Sequence, residues 1–157
     1  MENGILDIAF HESGDGGDIN LRAGDIDIVK GLFNQCYLAL FGGNIEQNTE
    51  LSLQGKSDRQ DWWGNEYLNQ EQQFNSNFER TISEVTLTSG GIAKLVTAAK
   101  KDLQYLSDYA DVDIQGSIPQ LNRFQLLITL TQPGRDSIKI KYIWDGVKRE
   151  LIEQTYV

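Results

Sequence analysis

One histidine, one cysteine and 23 carboxylates set the limits on what chemistry this chain can perform. A Ser-His-Asp relay would have to use His11, and no serine stands in a Gly-x-Ser-x-Gly elbow. Cys36 falls on the apolar stripe of a predicted helix, the wrong setting for a thiolate and the usual one for a small buried hydrophobe. His11, Glu12, Asp15, Asp18, Asp25 and Asp27 crowd the N-terminal region, and Asp-Gly segments can chelate calcium. An EF-hand loop begun at Asp15 would put Gly17 third and Ile26 twelfth; begun at Asp18, it would put Arg22 fifth. Neither register supplies the oxygen ligands, so these acids read as turn formers. Phosphate cradles fail as well, since Gly14-Asp15-Gly16 lacks the third glycine and a following helix. Acid pairs such as Glu79 and Glu84 suggest glycoside hydrolysis, but among 23 acids some pair always falls at a plausible separation. The expectation is therefore no catalytic residue, no cofactor and no metal. What remains is Trp62-Trp63-Gly64 in a Gln/Asn-rich stretch. Adjacent rings on an extended backbone face opposite ways. Either they tuck over the core as a lid, or at least one plugs into a neighbouring subunit, where tryptophan concentrates binding energy. One ring could serve each role.

The elements that must position these residues follow from periodicity. Ile19-Asn20-Leu21 and Ile26-Asp27-Ile28 alternate around Arg22-Ala23-Gly24-Asp25, the pattern of a short hairpin. Val29, Leu32, Phe33, Cys36, Leu40 and Phe41 recur at spacings of three and four, which predicts a helix capped by Asp27 and stopped by Gly42-Gly43. Residues 44–73 read as a long loop carrying the tryptophan pair, and residues 1–14 as a flexible lead. Phe74, Phe78 and Ile82 predict a short amphipathic helix. A longer one starts at Ser89, carries Ile92, Leu95, Val96, Ala99, Leu103 and Leu106 inward, and runs to about Ser107, with Lys94, Lys100, Lys101 and Asp102 on the opposite side. Strict alternation over Phe124–Leu130 and Ile138–Trp144, joined through Pro133-Gly134, predicts an antiparallel hairpin. Val147 to Gln154 are expected as a short terminal helix. The fold class is α+β: an antiparallel sheet with N-terminal and C-terminal hairpins and two or three amphipathic helices on one face, in a single domain.

Composition narrows the function classes. The 157 residues carry 14 Lys+Arg against 23 Asp+Glu, a formal charge of −9 that argues against nucleic acid as partner. At 39% hydrophobic and 24% charged this is an ordinary folded chain, and one cysteine excludes an internal disulfide. The opening Met1–Asp7 carries acids where a secretion signal needs bases, and no apolar run approaches a membrane span. The expectation is a chain folded in the cytosol, with no membrane partner.

Gly16–Leu21, Gly24–Ile28, the Leu38–Phe41 helix end and Asp58–Asn65 occur in that order, followed by the long helix and the closing hairpin. This arrangement resembles the small baseplate protein of Mu-like contractile-tailed phages, which is similar to the wedge and sheath-initiator protein of T-even phages. The likeness spans roughly residues 15 to 145. Asp61 stands where that family usually has Gly, Asn65 where it has Asp, and the Glu-Pro-Arg signature of the T-even branch is absent. The resemblance implies a structural part of the virion's tail baseplate, assembled in the host bacterial cytoplasm. Its implied partners are other wedge proteins, the tail sheath protein and the tail tube. A hairpin ending in an unpaired strand suits that role, because free edges pair with strands of other chains. The interface residues expected on this reading are Trp62, Trp63, Gly64, Ile138, Ile140, Tyr142 and Trp144. Two other classes compete: a small binding module with a ligand near Trp62 and Trp63, and a tail-associated glycan hydrolase.

Overall fold

The structure, a computed structural model, describes residues 6–12, 17–19, 21–30, 32–43, 63–69 and 71–156. The element order is β1 (Leu6–Ile8), β2 (Phe10–Glu12), β3 (Gly17–Ile19), β4 (Leu21–Arg22), β5 (Asp25–Ile26), β6 (Ile28–Lys30) and α1 (Leu32–Phe41). After these come α2 (Asn77–Glu84), α3 (Ser89–Asp102), β7 (Asp111–Gln120), β8 (Arg123–Thr131), β9 (Ile138–Asp145) and β10 (Glu150–Tyr156). Short 3-10 turns cover Trp63–Tyr67 and Gln104–Asp108. The class is α+β, as the pattern predicts.

The last four strands form one antiparallel sheet in the order β10-β9-β8-β7. Register explains why it has a wet and a dry face. Ile114, Ile128 and Ile140 lie in one cross-strand row, and Leu126 and Tyr142 in the next, all buried. The alternate rows, Asp113-Thr129-Lys139 and Gln115-Leu127-Lys141-Thr155, point the other way. Between β8 and β9 the Arg135 N–H donates to the Gln132 carbonyl at 3.1 Å, and Gly134 sits at φ +73°. Pro133 followed by a left-handed glycine is the sequence requirement of a type II turn.

Helices cover the dry face. Phe41 is their junction: its ring stacks on Tyr37 at 5.7 Å and meets Phe78 of α2 and Tyr142 of β9 edge-on at 5.8 and 5.7 Å. Phe78 in turn reaches Phe124 of β8 at 6.2 Å. The long helix lies so close to β7 that a Cβ on Gly116 would come within 2.7 Å of Val96. Thr88, one residue before the expected Ser89, caps this helix by accepting the Gly91 N–H at 3.2 Å. The helix ends at Asp102, and Ser107 belongs to the 3-10 turn beyond it.

Four expectations need correction. Val29 is in strand β6, opposite Asp7 of β1, and the helix begins only at Leu32. Its spacing of three from Leu32 was not a helical period: Val29 is buried from a strand that borders the same core. The first fourteen residues supply β1 and β2 instead of a flexible lead, although 1–5, 13 and 14 lie outside the described residues. Val147–Gln154 is not a helix. Asp145 Oδ1 accepts the Val147 and Lys148 N–H groups, Arg149 takes φ +58°, and the chain reverses into β10. As a result β9 is no edge. It pairs with β8 on one side and β10 on the other, so among the described residues the outer strands of the sheet are β7 and β10.

The predicted N-terminal hairpin is present as β4–β5, pairing Leu21 with Ile26 and Arg22 with Asp25. Ala23 and Gly24 take φ +53° and +85°. Two consecutive left-handed residues make the turn whose twist suits a two-residue hairpin.

Candidate functional site

The turn that carries the tryptophan motif is held by helix ends that need partners. Gly42 and Gly43 stop α1: the Gly42 N–H closes on the Leu38 carbonyl at 2.7 Å, and Gly43 turns away at φ +60°. The last carbonyls of a helix then lack intrahelical donors. Ser76 Oγ donates to the Ala39 carbonyl at 3.0 Å and accepts the Gly43 N–H at 2.9 Å. Asn65 Nδ2 donates to the Gly43 carbonyl at 3.1 Å and the Phe74 carbonyl at 3.2 Å, while its Oδ1 accepts the Phe74 N–H at 2.9 Å. Gln73 Nε2 adds a bond to the Asn65 carbonyl at 2.9 Å. Asn65 is therefore the clamp that fixes Trp63–Tyr67 against the body, and both Gly64 and Asn65 are buried.

Because the Ser76 side chain serves α1, the start of α2 is capped from elsewhere. Asp102, at the end of α3, accepts the Asn77 N–H at 3.0 Å, the Asn77 Nδ2 at 2.6 Å and the Phe78 N–H at 2.7 Å. It does not decorate the solvent side with the lysines, as periodicity suggested. Burial pushes its carboxyl above the ordinary range; the hydrogen bonds from Phe78 and Asn77 and the charge of Arg80 oppose that. Asn34 makes the equivalent splice to the N-terminal strands, donating to the Ile8 carbonyl at 2.6 Å and accepting the Phe10 N–H at 3.2 Å.

The expected interface residues divide. Trp62 lies outside the described residues; Trp63 opens the 3-10 turn beside buried Gly64. Ile140 and Tyr142 are buried in the core, and Ile138 and Trp144 are half-buried against it. An alternating run shows that one face is apolar but not whether a further strand will pair with it. The four β9 residues thus belong to the helix-covered face, apart from any sheet edge. Sequence reasoning passed over Ser76 and Asn34, and named Asn65 only as a departure from the family motif and Asp102 only as a solvent-side residue. The available signal was their placement beside helix boundaries, where short polar side chains satisfy backbone groups.

Cys36 is fully buried, and burial pushes its thiol up to about 12, so it stays protonated at neutral pH. Glu79 and Glu84 share α2 five residues apart, which turns them about 140° around the helix axis. His11 stands opposite Asp18 in the β2–β3 ribbon. Among the described residues no three His, Cys, Asp or Glu side chains gather as metal ligands. An open crevice at one end of the sheet is lined by Asp108, Tyr109, Asp111, Pro133 and Arg135. No helix among the described residues is long and apolar enough to cross a membrane. The fold and this site define an α+β chain organised around a buried amide clamp and a four-stranded sheet with β7 and β10 as its outer strands. No protein-family model, curated protein or solved structure matches the chain.

Proposed function

We propose that this protein is a structural component of the baseplate of a contractile phage tail or a related injection system. In this role it links wedge proteins and starts sheath assembly by strand pairing, and it performs no catalysis. The observation that carries the reading is the β10 edge, which pairs with no further strand among the described residues, although Gln154 Nε2 donates to the Phe10 carbonyl of β2 at 2.9 Å. Of the two edges β10 is the better template. It is seven residues long without proline, whereas β7 carries Pro119; acids and a register irregularity occur in both, Glu150 and Glu153 in β10 and Asp111 and Asp113 in β7. Acids, proline and bulges are the devices that discourage edge pairing. The β10 register shifts between Leu151 and Glu153, leaving Ile152 out of step with β9 and 36% exposed. The Trp62-Trp63-Gly64 motif is proposed as the second contact, next to Asn65, whose side chain bonds the Gly43 and Phe74 carbonyls.

Two substitutions test this reading against purified sheath and wedge proteins from the same tail. Ile152→Pro removes an N–H at the residue that has no β9 partner, so it spares most of the ladder. It should lower sheath binding at least tenfold with little change in melting temperature. Unchanged binding by the folded variant would refute the strand role. Trp63→Ala should weaken incorporation into baseplates more than it lowers melting temperature; equal incorporation would remove that ring from the interface.

A further inference from the structure

The strands that precede α1 are joined to the rest of the molecule at few points. Among the described residues ahead of Leu32, only Ala9 and Val29 are buried in the core, and Phe10 is half-buried against it. Otherwise these strands pair with one another, β1 with β6, β2 with β3 and β4 with β5. The joint to the body is at Phe10, whose two main-chain groups are both held by side-chain amides of distant elements. Its N–H donates to Asn34 Oδ1 of α1 at 3.2 Å, and its carbonyl accepts Gln154 Nε2 of β10 at 2.9 Å. Asn34 Nδ2 also donates to the Ile8 carbonyl at 2.6 Å.

The seam at that joint is poorly satisfied. Gln154 is the register partner of Tyr142, so both side chains lie on the dry face of the sheet. Gln154 Oε1 and Tyr142 Oη are each buried without a hydrogen-bond partner. Phe10, Tyr37, Phe41 and Tyr142 follow one another at ring separations of 6.4, 5.7 and 5.7 Å, and the Gln154 bond to Phe10 closes the circuit. A buried acceptor without a donor costs free energy that water returns when the cover lifts. Two-stranded ribbons of two or three residues do not hold themselves in water, so these strands keep their shape only while docked. Segments with few buried contacts open below the threshold of global unfolding. We infer that β1 and β2, with their partner strands β6 and β3, are a strap latched by Asn34 and Gln154. It opens from α1 and β10 as one unit while the helices and the four-stranded sheet stay folded, and it lays bare Tyr37 and Gln154 at the β10 end of the dry face. The strap stands whether or not the outer edge of β10 pairs with a sheath strand.

Amide hydrogen exchange, read by NMR on the full chain at neutral pH, tests the strap. The Ala9 N–H donates to the Asp27 carbonyl at 2.9 Å, and the Phe10 N–H to Asn34. These two amides should share one protection factor, at least a hundredfold below those of the β8 amides. Ile128→Val, in the sheet core, weakens packing that is intact whether the strap is open or closed. It should lower β8 protection severalfold and leave Ala9 and Phe10 unchanged. Gln154→Glu keeps the side chain's size but cannot donate to the Phe10 carbonyl, and it should lower protection at Ala9 and Phe10 at least tenfold. Asn34→Asp, which loses the donor to Ile8, should do the same and serves if the first variant misfolds. Wild-type protection at Ala9 and Phe10 as high as in β8 would overturn the proposal, as would an equal loss at all three in Ile128→Val. Protection factors more than tenfold apart at Ala9 and Phe10 would rule out a single unit. No change at either amide in a folded latch variant would remove the latches.

Discussion

Among the described residues, the first thirty positions and the last forty-seven are mostly β-strands rich in isoleucine and leucine, yet they end in opposite environments. In the C-terminal sheet, strands of seven to ten residues stack aliphatics in rows of three, and the chain's own helices cover them. In the N-terminal ribbons, strands of two or three residues pair only two deep and expose theirs. Composition does not distinguish the two regions; strand length and the presence of a covering layer do. An apolar strand stabilises a fold only in proportion to the area that something else removes from water. Where the described residues supply no cover, the same residue types stay exposed to solvent.

The largest expected effect is at the junction that covers the sheet. Phe41→Ala should cost about 3–5 kcal/mol in denaturant unfolding, because its ring joins α1, α2 and β9. A loss below 1 kcal/mol would mean that the helical layer does not depend on it. The comparison is sharpest in a matched pair of truncations. Ile140→Ala should cost about 2–5 kcal/mol, and Ile28→Ala about 0.5 kcal/mol or less, although both are isoleucines in antiparallel strands. Similar losses at both sites would erase the distinction between covered and uncovered rows.

Asn65→Asp should cost about 1–3 kcal/mol, since a carboxylate cannot donate to the Gly43 and Phe74 carbonyls and would be buried facing them. The same chemistry at Asn34, which clamps the N-terminal ribbons, would show whether the two regions are held by equally strong amide bonds.

A smaller effect concerns acid. Asp145 is held below the ordinary carboxylate range first by the Lys148 N–H and then by the Val147 N–H and the charges of Arg123 and Lys148, with partial desolvation opposing them. A depressed folded value adds stability above the unfolded pKa, and that stability is lost as pH falls through the folded one. Asp145→Asn should therefore flatten the decline in melting temperature as pH falls through and below the ordinary carboxylate range. An acid limb as steep as wild type would mean that the β9–β10 turn does not draw on that charge. The smallest effect is at Tyr142, whose Oη is buried with no hydrogen-bond partner. Tyr142→Phe should be neutral or stabilising by up to about 1 kcal/mol.

Much of the fold was legible locally. Pro133-Gly134, Gly42-Gly43 and Ala23-Gly24 mark a turn, a helix stop and a hairpin because their conformational restrictions are properties of single residues. The alternation from Phe124 to Trp144 identified the dry face because side-chain direction reverses at every step of a strand. The tryptophan turn was legible as a motif, but the residue that anchors it was not, since the partners of Asn65 lie at Gly43 and Phe74.

What the chain order by itself determined was therefore which residues are apolar together and where the backbone must bend. Only the tertiary structure decided that β9 is internal, that Asp102 caps a helix beginning twenty-five residues earlier, and that one set of isoleucines is covered while another is not. The reason is physical. Local conformation is governed by each residue and its near neighbours, whereas burial and hydrogen-bond partners depend on which distant segment arrives.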